Sequence, residues 1–376
     1  MATLGASRAN SQDSILRTLT RLDGWLILAA SLLTLIGLLS LLSIDQSAGT
    51  DFFKRQMVRM AIGVVPFALF LFVRPEVWRR WARPLYVFNL GMLMTVLLVG
   101  DTRNNAQRWL QIGPLDFQPS ELAKLLIVLT VASFLANRMD EIRSFKTFAL
   151  SFLHVAIPMA LIYKQPHLGS TLVVGVAWLT IVWIAGARMR YVLGSIVLAG
   201  GLLVAAFYIP GAMSDYQKGR ILGFLHPDKS GDGYQVYRGL VAIGSGELDG
   251  KGYLKGEQKS LRFIPEQQTD FIFTVIGEEG GLIGGFIVLA LFGLLFFRTW
   301  LIVHLASEPF HRMLAAGILA IFAFHMTANL GMVLQLLPVV GLWLPLMSQG
   351  GTALWLCMAC IALLLNIRSQ EDKQEF

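Results

Sequence analysis

The sequence predicts an all-α protein that crosses a membrane many times. Apolar residues make up 55% of the 376-residue chain and charged residues only 15%, whereas globular soluble proteins carry about 25% charged residues. Runs rich in Leu, Ile, Val and Phe recur from end to end, and each has the length of about 17–25 residues that spans a bilayer. Because lipid cannot satisfy backbone hydrogen bonds, these runs must be helices.

Ten such runs divide the chain. We place them at about residues 23–44, 57–73, 84–100, 119–136, 147–163, 170–186, 191–209, 271–297, 313–335 and 350–367. Residues 1–22 and 368–376 then form short tails, and residues 23–367 form one transmembrane domain. The first run is too long for a cleavable signal peptide and lacks a small-residue cleavage site.

Basic residues are distributed unevenly over the connecting segments, and this asymmetry predicts the orientation. An even number of spans puts both termini on one side, and the positive-inside rule places the more basic segments in the cytoplasm. The cluster Arg74, Arg79, Arg80 and Arg83 falls on the same side as the termini, so we expect both termini in the cytoplasm. The dispersal of these residues over many short loops argues against nucleic-acid binding, despite the net charge of +7.

One large polar loop, at about residues 211–270, is expected on the extracellular side. It carries eight basic and eight acidic residues. The stretch Tyr234 to Ile243 is mildly amphipathic and is expected to lie flat on the membrane surface, and five glycines between Gly244 and Gly256 exclude a long regular helix after it. Because loops longer than about 12–15 residues are usually functional or disordered, this loop favours function.

Three acids mark the place where that loop enters the eighth run. Asp270 stands at the mouth of the apolar segment, and Glu278 and Glu279 follow inside it. A charge at the centre of a membrane costs roughly 2.5–3.5 kcal/mol, so such residues usually mark function. Asp270 could cap the helix or carry chemistry. Glu278 and Glu279 require a cation, a water-filled cavity or a protonated state.

Polar residues also gather at three other external positions. Glu121 and Lys124 follow Gln118-Pro119-Ser120 at a predicted helix start, where they form either an internal ion pair or a cation site for an anionic substrate. His167 lies in a turn and is interpreted there as an ordinary turn residue, and the irregular segment around Ser348 precedes the last span. Arg55, Arg220 and Arg262 are further external cations, and arginine suits phosphate groups.

Two further patterns predict packing rather than chemistry. Cys357 and Cys360 form a C-x-x-C pattern inside an apolar run without nearby ligands, so we interpret them as packing residues. Gly277, Gly281 and Gly285 form a ladder of small residues, which predicts close helix packing.

These constellations, in this order on ten spans, resemble the SEDS family (shape, elongation, division and sporulation). The most specific pieces are Gln118 to Glu121 with Lys124, the run Gly250 to Gly256, and Pro265 to Glu279; the glycine-rich run is similar to the elongation branch of the family. The resemblance covers almost the whole chain beyond its first twenty residues. It implies the SEDS fold and a multi-pass protein of the bacterial cytoplasmic membrane.

The resemblance implies an inverting glycosyltransferase that polymerises lipid II into peptidoglycan strands outside the membrane during cell elongation. The growing lipid-linked strand and lipid II would be its substrates, undecaprenyl diphosphate its leaving product, and a class B penicillin-binding protein its partner. The family's essential aspartate falls on Asp270, which would accept the proton of the acceptor sugar's 4-hydroxyl. Substrate contacts are expected from Lys124, Glu121, Arg55, Trp109, Arg220, Arg262, Gln118, Ser120, Ser348 and Glu278. A divalent cation, Mg²⁺ or Mn²⁺, could assist the departing diphosphate, and the metal stays open.

Three residues depart from the family pattern. Gln268 stands where His commonly precedes Thr-Asp, His167 replaces an acid, and Gln349 replaces a Tyr. Two other functions stay open beside the polymerase. A polytopic bundle with intramembrane Glu278 and Lys124 could act as a flippase for a lipid-linked precursor. The departures would also suit a nonenzymatic scaffold of a wall-synthesis complex.

Overall fold

The computed structural model describes residues 22–103, 106–113, 115–211, 213, 215–225, 232–259 and 264–371. Its helices are α1 (Gly24–Ala48), α2 (Phe52–Phe72), α3 (Pro75–Arg80), α4 (Ala82–Val99), α5 (Pro119–Ala136), α6 (Phe145–Lys164), α7 (Leu168–Ile184), α8 (Met189–Tyr208), α9 (Asp215–Leu225), α10 (Asp232–Gly244), α11 (Phe273–Leu305), α12 (Pro309–Val333) and α13 (Gly351–Glu371). Strands β1 (Asp101–Arg103), β2 (Ala106–Ile112) and β3 (Leu115–Phe117) precede α5, and Met139–Glu141 form a 3-10 turn. The predicted tail at 1–21, residues 372–376 and Arg262 lie outside the described residues.

The predicted fold class is confirmed. Nine of the described helices are long and apolar enough to cross a membrane, and α7 is a shorter apolar helix. These ten helices correspond to the ten predicted runs. The start of α2 was predicted five residues too late, because Asp45 accepts the free amides of Phe52 (2.8 Å) and Phe53 (2.7 Å) and so lets the helix begin before its apolar part.

Contacts between helices define two ends of the bundle. Ser43, near the end of α1, donates to Glu279 near the start of α11 (2.6 Å). At the start of α1, Asp23 instead pairs with Arg298, late in α11 (2.6 Å). We call the end that holds Ser43, Glu279 and Asp270 the site end, and the end that holds Asp23 and Arg298 the opposite end.

The centre of the bundle is formed by α5, α12 and α13, which are buried along most of their length. Buried polar side chains lie on these helices, among them Glu121, Lys124, His325 and Asn329. In contrast, α8 is exposed over nearly its whole surface. The interior of this protein is therefore polar at the site end, although its perimeter is apolar.

The predicted amphipathic stretch forms α10, but it does not stand apart from the bundle. Gly239 of α10 approaches Phe271 and Thr274, and the side chain of Ile243 packs against Gly277. The expectation that this stretch lies flat on the membrane surface stays a prediction. Its apolar face is buried against the first turns of α11.

A break in α11 lies within the predicted ladder of small residues, where Gly277 packs closely against α10 as expected but Gly281 does not. Gly281 has φ 60° and ψ −157° inside the helix, a backbone conformation that is essentially restricted to glycine. The loop after α10 fills the break, where Lys251 and Gly252 donate to the carbonyls of Glu278 and Glu279, each at 3.0 Å. Leu282 N and Ile283 N donate in return to the carbonyls of Glu247 (2.9 Å) and Leu248 (3.2 Å). Gly281 thus serves the docking of a loop, not the packing of a second helix.

The segment between α4 and α5 contains a feature that the sequence did not predict. Strands β1, β2 and β3 pair antiparallel in that order. Two of the strands have three residues each, which is too short for an alternating pattern to emerge. This small sheet carries Arg108 towards the turn before α7, where its Nε donates to Gln165 O (3.0 Å).

Candidate functional site

Asp270 lies in a turn before α11 and does not cap that helix. The helix begins at Phe273, its N-cap residue is Ile272, and no side chain caps it. The capping interpretation of Asp270 is therefore wrong. The turn is fixed from the interior instead, because Asn329 Nδ2 donates to Asp270 O (2.8 Å) and to Leu342 O (2.7 Å). As a whole residue, Asp270 is half-buried.

Arg220 and Asp270 meet across the backbone of Gly341. A Cβ atom placed on Gly341 would lie 3.0 Å from Arg220 Nη1 and 3.4 Å from Asp270 Oδ2. Gly341 also has φ +67°, so both its conformation and its surroundings favour glycine. Burial raises the pKa of Asp270 to about 6, while the positive charge of Arg220 opposes that rise. At neutral pH the carboxylate is therefore ionised and more basic than an ordinary aspartate.

The segment from Leu344 to Gln349 also supports the turn that holds Asp270. Ser348 Oγ donates to Thr269 O (2.6 Å) and accepts from Leu344 N (2.8 Å). Gln349 N donates to Gln268 O (2.9 Å). The departures at Gln268 and Gln349 thus lie opposite each other and meet through main-chain atoms, which any residue type supplies. Ser348 holds the turn, and its predicted contact with substrate stays a prediction.

A small cavity opens beside the arginines. Its volume is about 100 Å³, and Arg108, His167 and Arg220 line it together with apolar residues such as Leu172 and Leu203. Two guanidinium groups in an apolar hollow suit a diphosphate that carries a lipid tail. This arrangement places the predicted Arg220 in the site and adds Arg108 to it.

His167 caps α7, and this explains how the chain accommodates its departure from the family pattern. The Nδ1 atom of His167 accepts from Ser170 N at 3.2 Å. Burial, followed by the nearby charges of Arg108 and Lys124, holds the pKa of His167 well below its ordinary value. The imidazole is therefore neutral, and its unprotonated nitrogen acts as the acceptor that an acid would otherwise supply at this helix start.

Glu121 and Lys124 form an internal ion pair, the first of the two alternatives that the sequence left open. Lys124 Nζ donates to Glu121 Oε1 (2.7 Å) and lies 3.1 Å from His325 Nε2. Trp343 Nε1 donates to Glu121 Oε2 (3.0 Å). Both side chains of the pair are at most 2% exposed. Leu342, the residue before Trp343, accepts a hydrogen bond from the same Asn329 side chain that holds Asp270. By holding Trp343, the ion pair therefore anchors the segment that forms the wall of the site.

Glu278 and Glu279 are held by cations, as their position in an apolar run requires. Lys251 Nζ lies 3.0 Å from Glu278 Oε1, and the buried Lys259 pairs with Glu279 Oε1. Amides of the loop also donate to Glu278, namely Glu257 N (2.7 Å) and Gln258 N (3.1 Å). In this structure Glu278 therefore ties the loop to α11. Its predicted contact with substrate stays a prediction.

The remaining predicted residues are distributed around the site end. Gln118 precedes α5, and its backbone amide donates to Thr352 Oγ1 (2.9 Å). Ser120 is fully buried, and its Oγ has no partner among the described residues. Trp109 is half-buried on β2, whereas Arg55 is exposed on the first turn of α2 and makes no hydrogen bond or ion pair with Asp270. Cys357 and Cys360 are buried and form no disulfide, which agrees with packing.

The donors around Asp270 do not by themselves fit a resident divalent cation. Such ions prefer several oxygen ligands, and Arg220 and Arg108 are among the charges that act on Asp270. Within the described residues, no group of three or more His, Cys, Asp and Glu side chains converges on one point. We assign no catalytic step to a metal.

Three residues that sequence reasoning overlooked contribute to this site: Asn329, His325 and Trp343. His325 and Asn329 lie four residues apart on α12 and are fully buried. Polar residues inside an apolar run are rare and usually face the interior of a bundle, so their spacing was the available signal. Trp343 packs against His325 with tilted rings whose centroids lie 4.1 Å apart, a contact between distant segments that no local pattern indicates.

Relatives of this chain include proteins named as peptidoglycan glycosyltransferases. Over 344 residues the chain is 37% identical to the peptidoglycan glycosyltransferase MrdB of Escherichia coli K12, covering 90% of this chain and 92% of that protein. It is 33% identical over 367 residues to a probable peptidoglycan glycosyltransferase FtsW of Geobacter metallireducens, covering 94% of this chain and 96% of that protein.

Two solved structures share the architecture. One belongs to a peptidoglycan synthase complex that coordinates polymerization and crosslinking, with a TM-score of 0.79 and 29% identity over 93% of this chain and 98% of that one. The other is the rod shape determining protein RodA of Thermus thermophilus, with a TM-score of 0.69 and 29% identity over 92% of this chain and 96% of that one. The family model described as "cell cycle protein", built on FtsW, RodA and SpoVE, matches residues 21–373. The chain belongs to this FtsW/RodA/SpoVE family of membrane proteins.

Proposed function

We propose that this protein is a peptidoglycan glycosyltransferase of the elongation type that uses Asp270 as its general base. The observation that carries the assignment is the pair of Asp270 and Arg220 across Gly341. A base whose pKa lies near 6 stands there beside Arg220, a cation that lines the neighbouring cavity. Transfer from a lipid diphosphate requires both groups, one for the incoming hydroxyl and one for the leaving phosphate.

In the proposed reaction, the 4-hydroxyl of the acceptor sugar attacks the anomeric carbon of a lipid-linked donor. The new glycosidic bond forms as the bond from the anomeric carbon to the diphosphate breaks, with inversion at that carbon. Asp270 accepts the hydroxyl proton, and undecaprenyl diphosphate leaves. Arg220 and Arg108 offset the charge of the leaving group, because guanidinium groups pair with phosphate oxygens. A single carboxylate acting as a base suffices, because a diphosphate whose charge is neutralised leaves without being protonated.

Glu121 and Lys124 contribute by positioning. Their buried pair holds Trp343, and the preceding residue, Leu342, is joined to Asp270 through Asn329. A shift of this wall would move Gly341 and separate Asp270 from Arg220. In this proposal Lys124 acts on the substrate through the wall of the site. It does not act as an exposed cation.

We further propose that the site end faces the outside of the cytoplasmic membrane, with both termini in the cytoplasm. The distribution of basic residues supports this orientation. It would expose Asp270 to lipid II that has already crossed the membrane, and to a class B penicillin-binding protein that crosslinks the product. The similarity to a chain of a peptidoglycan synthase complex supports such a partner.

The experiment incubates the purified protein with lipid II, alone and with its class B penicillin-binding partner. The proposal predicts glycan strands and one released lipid diphosphate per bond formed. A parallel experiment in liposomes measures movement of the lipid-linked headgroup across the bilayer. Headgroup translocation without polymer would favour the flippase alternative. Neither polymer nor translocation, with the partner present, would favour the scaffold.

A further inference from the structure

A second cavity lies at the opposite end of the bundle, far from Asp270. Its volume is about 870 Å³, within the range of pockets that hold small-molecule ligands. It is bounded by α3, the first turns of α4, the end of α5 and the middle of α6. The first turn of α5 contains Glu121 and lies at the site end. The last residues of α5 therefore lie at the opposite end. The lining residues include Arg79, Arg80, Arg83 and Arg138.

The charge of this cavity is strongly positive. Four arginines line it, and the only acid among its lining residues is Glu76. Glu76 is already engaged, because its Oε1 lies 3.1 Å from His311 Nε2 outside the cavity lining. Arg79 Nη1 is paired with Glu308 Oε2 (3.6 Å) from outside the cavity lining, so the uncompensated positive charge belongs to Arg80, Arg83 and Arg138. Such a concentration of positive charge requires an anion in solution or in the membrane.

Two of the arginines are held in place and two are available. Arg79 Nη2 donates to Asn137 Oδ1 (2.7 Å). Arg138 donates to Phe134 O (3.2 Å) and stacks 4.0 Å from the centroid of the Phe134 ring. Arg80 and Arg83 are exposed, and their side chains make no hydrogen bond or ion pair with any other residue in the described part of the chain. Each of these planar guanidinium groups can therefore donate two parallel hydrogen bonds to phosphate oxygens.

The remaining wall of the cavity is aromatic and continues onto the lipid-facing side of α4. The rings of Tyr86 and His154 stack with centroids 4.0 Å apart. Val87 lines the cavity and is 69% exposed, and its neighbour Phe88 is 56% exposed. Because α4 is one of the candidate membrane spans, these side chains face acyl chains. A ligand in this cavity can thus place charge among the arginines and hydrocarbon along α4.

We propose that this cavity binds the headgroup of an anionic phospholipid, with the phosphodiester between Arg80 and Arg83. Basic pockets between membrane helices commonly recognise such headgroups. The proposal is independent of the glycosyltransferase assignment, because none of the residues used at Asp270 takes part. It predicts a preference for anionic over zwitterionic phospholipids of equal chain length.

The test measures lipid retention by native mass spectrometry on the full-length protein purified from nanodiscs. The nanodiscs contain either phosphatidylglycerol or phosphatidylcholine. The variants are R80A/R83A, R80K/R83K and the control R143A/R188A, which removes two exposed arginines outside the cavity lining. We expect R80A/R83A to bind phosphatidylglycerol about tenfold more weakly, the loss of roughly one charge-assisted contact. The lysine variant should retain part of the affinity, and the control should bind as wild type does.

Three results would overturn the proposal. One is equal loss of phosphatidylglycerol from R80A/R83A and from the control, which would indicate a general charge effect. Another is equal retention of phosphatidylcholine and phosphatidylglycerol by the wild type. The third is binding of soluble glycerol phosphate as tight as that of the lipid, which would assign the cavity to a free phosphorylated solute. Thermal unfolding of each variant verifies that the bundle is intact, so a loss of lipid cannot be attributed to misfolding.

Discussion

Replacing Gly281 by alanine should destabilise the protein sharply, because the break in α11 depends on this residue. An alanine Cβ would lie 2.4 Å from Gly250 N and 2.5 Å from Leu248 O. Both are backbone atoms and cannot rotate away. The φ of 60° and ψ of −157° add strain for any other residue, of about 1–3 kcal/mol.

The size of the effect follows from the hydrogen bonds around the break. Four backbone bonds join residues 247–252 to residues 278–283, with lengths from 2.9 to 3.2 Å. Each contributes about 0.5–1.5 kcal/mol, so the loss of two adds about 2 kcal/mol to the strain. We expect Gly281→Ala to lower the free energy of unfolding by about 3–5 kcal/mol.

Gly280→Ala is a matched control one residue away. No atom lies within 4 Å of a Cβ at Gly280, and its φ is not positive. Alanine is favoured over glycine in a helix by up to about 1 kcal/mol, so this variant should be as stable as wild type or slightly more stable. The assay is unfolding by heat and by denaturant in detergent micelles, followed by tryptophan fluorescence. If Gly281→Ala and Gly280→Ala unfolded alike, the proposed docking of the loop into α11 would be refuted.

Three further outcomes are expected. The rate of lipid II polymerisation should fall as the pH drops through about 6, because protonation of Asp270 removes the base. The raised pKa also means that ionised Asp270 destabilises the fold. Asp270→Asn should therefore be more stable than wild type above that pH, as measured by thermal unfolding at several pH values. Lys124→Met should cost about 3–5 kcal/mol of stability, since it leaves Glu121 buried without its cation, and E121Q/K124M should recover most of it in denaturant unfolding; equal stability of the single and double variants would contradict the buried pair. His167→Asp should leave polymerisation within a few-fold of wild type, because neutral His167 already supplies the acceptor for Ser170 N; activity that appeared only in this variant would indicate a degenerate member.

How much of this molecule the sequence predicted depends on how local each feature is. The ten apolar runs predicted the helices, because each run is a continuous segment with the length of a bilayer. Glu278 and Glu279 were correctly expected to need partners, but Lys251 and Lys259 could not be identified as those partners. The break at Gly281 brings that loop back onto α11, and glycines inside a helical run, here Gly280 and Gly281, do not by themselves predict a break.

The site itself was predicted in part. Asp270 and Arg220 were both singled out, but their closeness depends on Gly341, in a third segment. Capping remained a serious alternative for Asp270, because an Asp before an apolar run is a common helix start. The structure excludes that alternative only through the position of Phe273 as the first helical residue. Contacts among distant segments, such as those of Asn329, are set by tertiary packing and leave no periodic signal.

The most direct test of the proposed mechanism is the rate of lipid II polymerisation by Asp270→Asn beside that of Asp249→Asn. Asp249 is an exposed acid of the same loop, so its replacement removes the same charge without touching the site. Loss of a positioned general base lowers a rate by about 10²–10⁴-fold. The account predicts a loss of that size for Asp270→Asn and an unchanged rate for Asp249→Asn. Polymerisation by Asp270→Asn at the wild-type rate would contradict the assignment of Asp270 as the base.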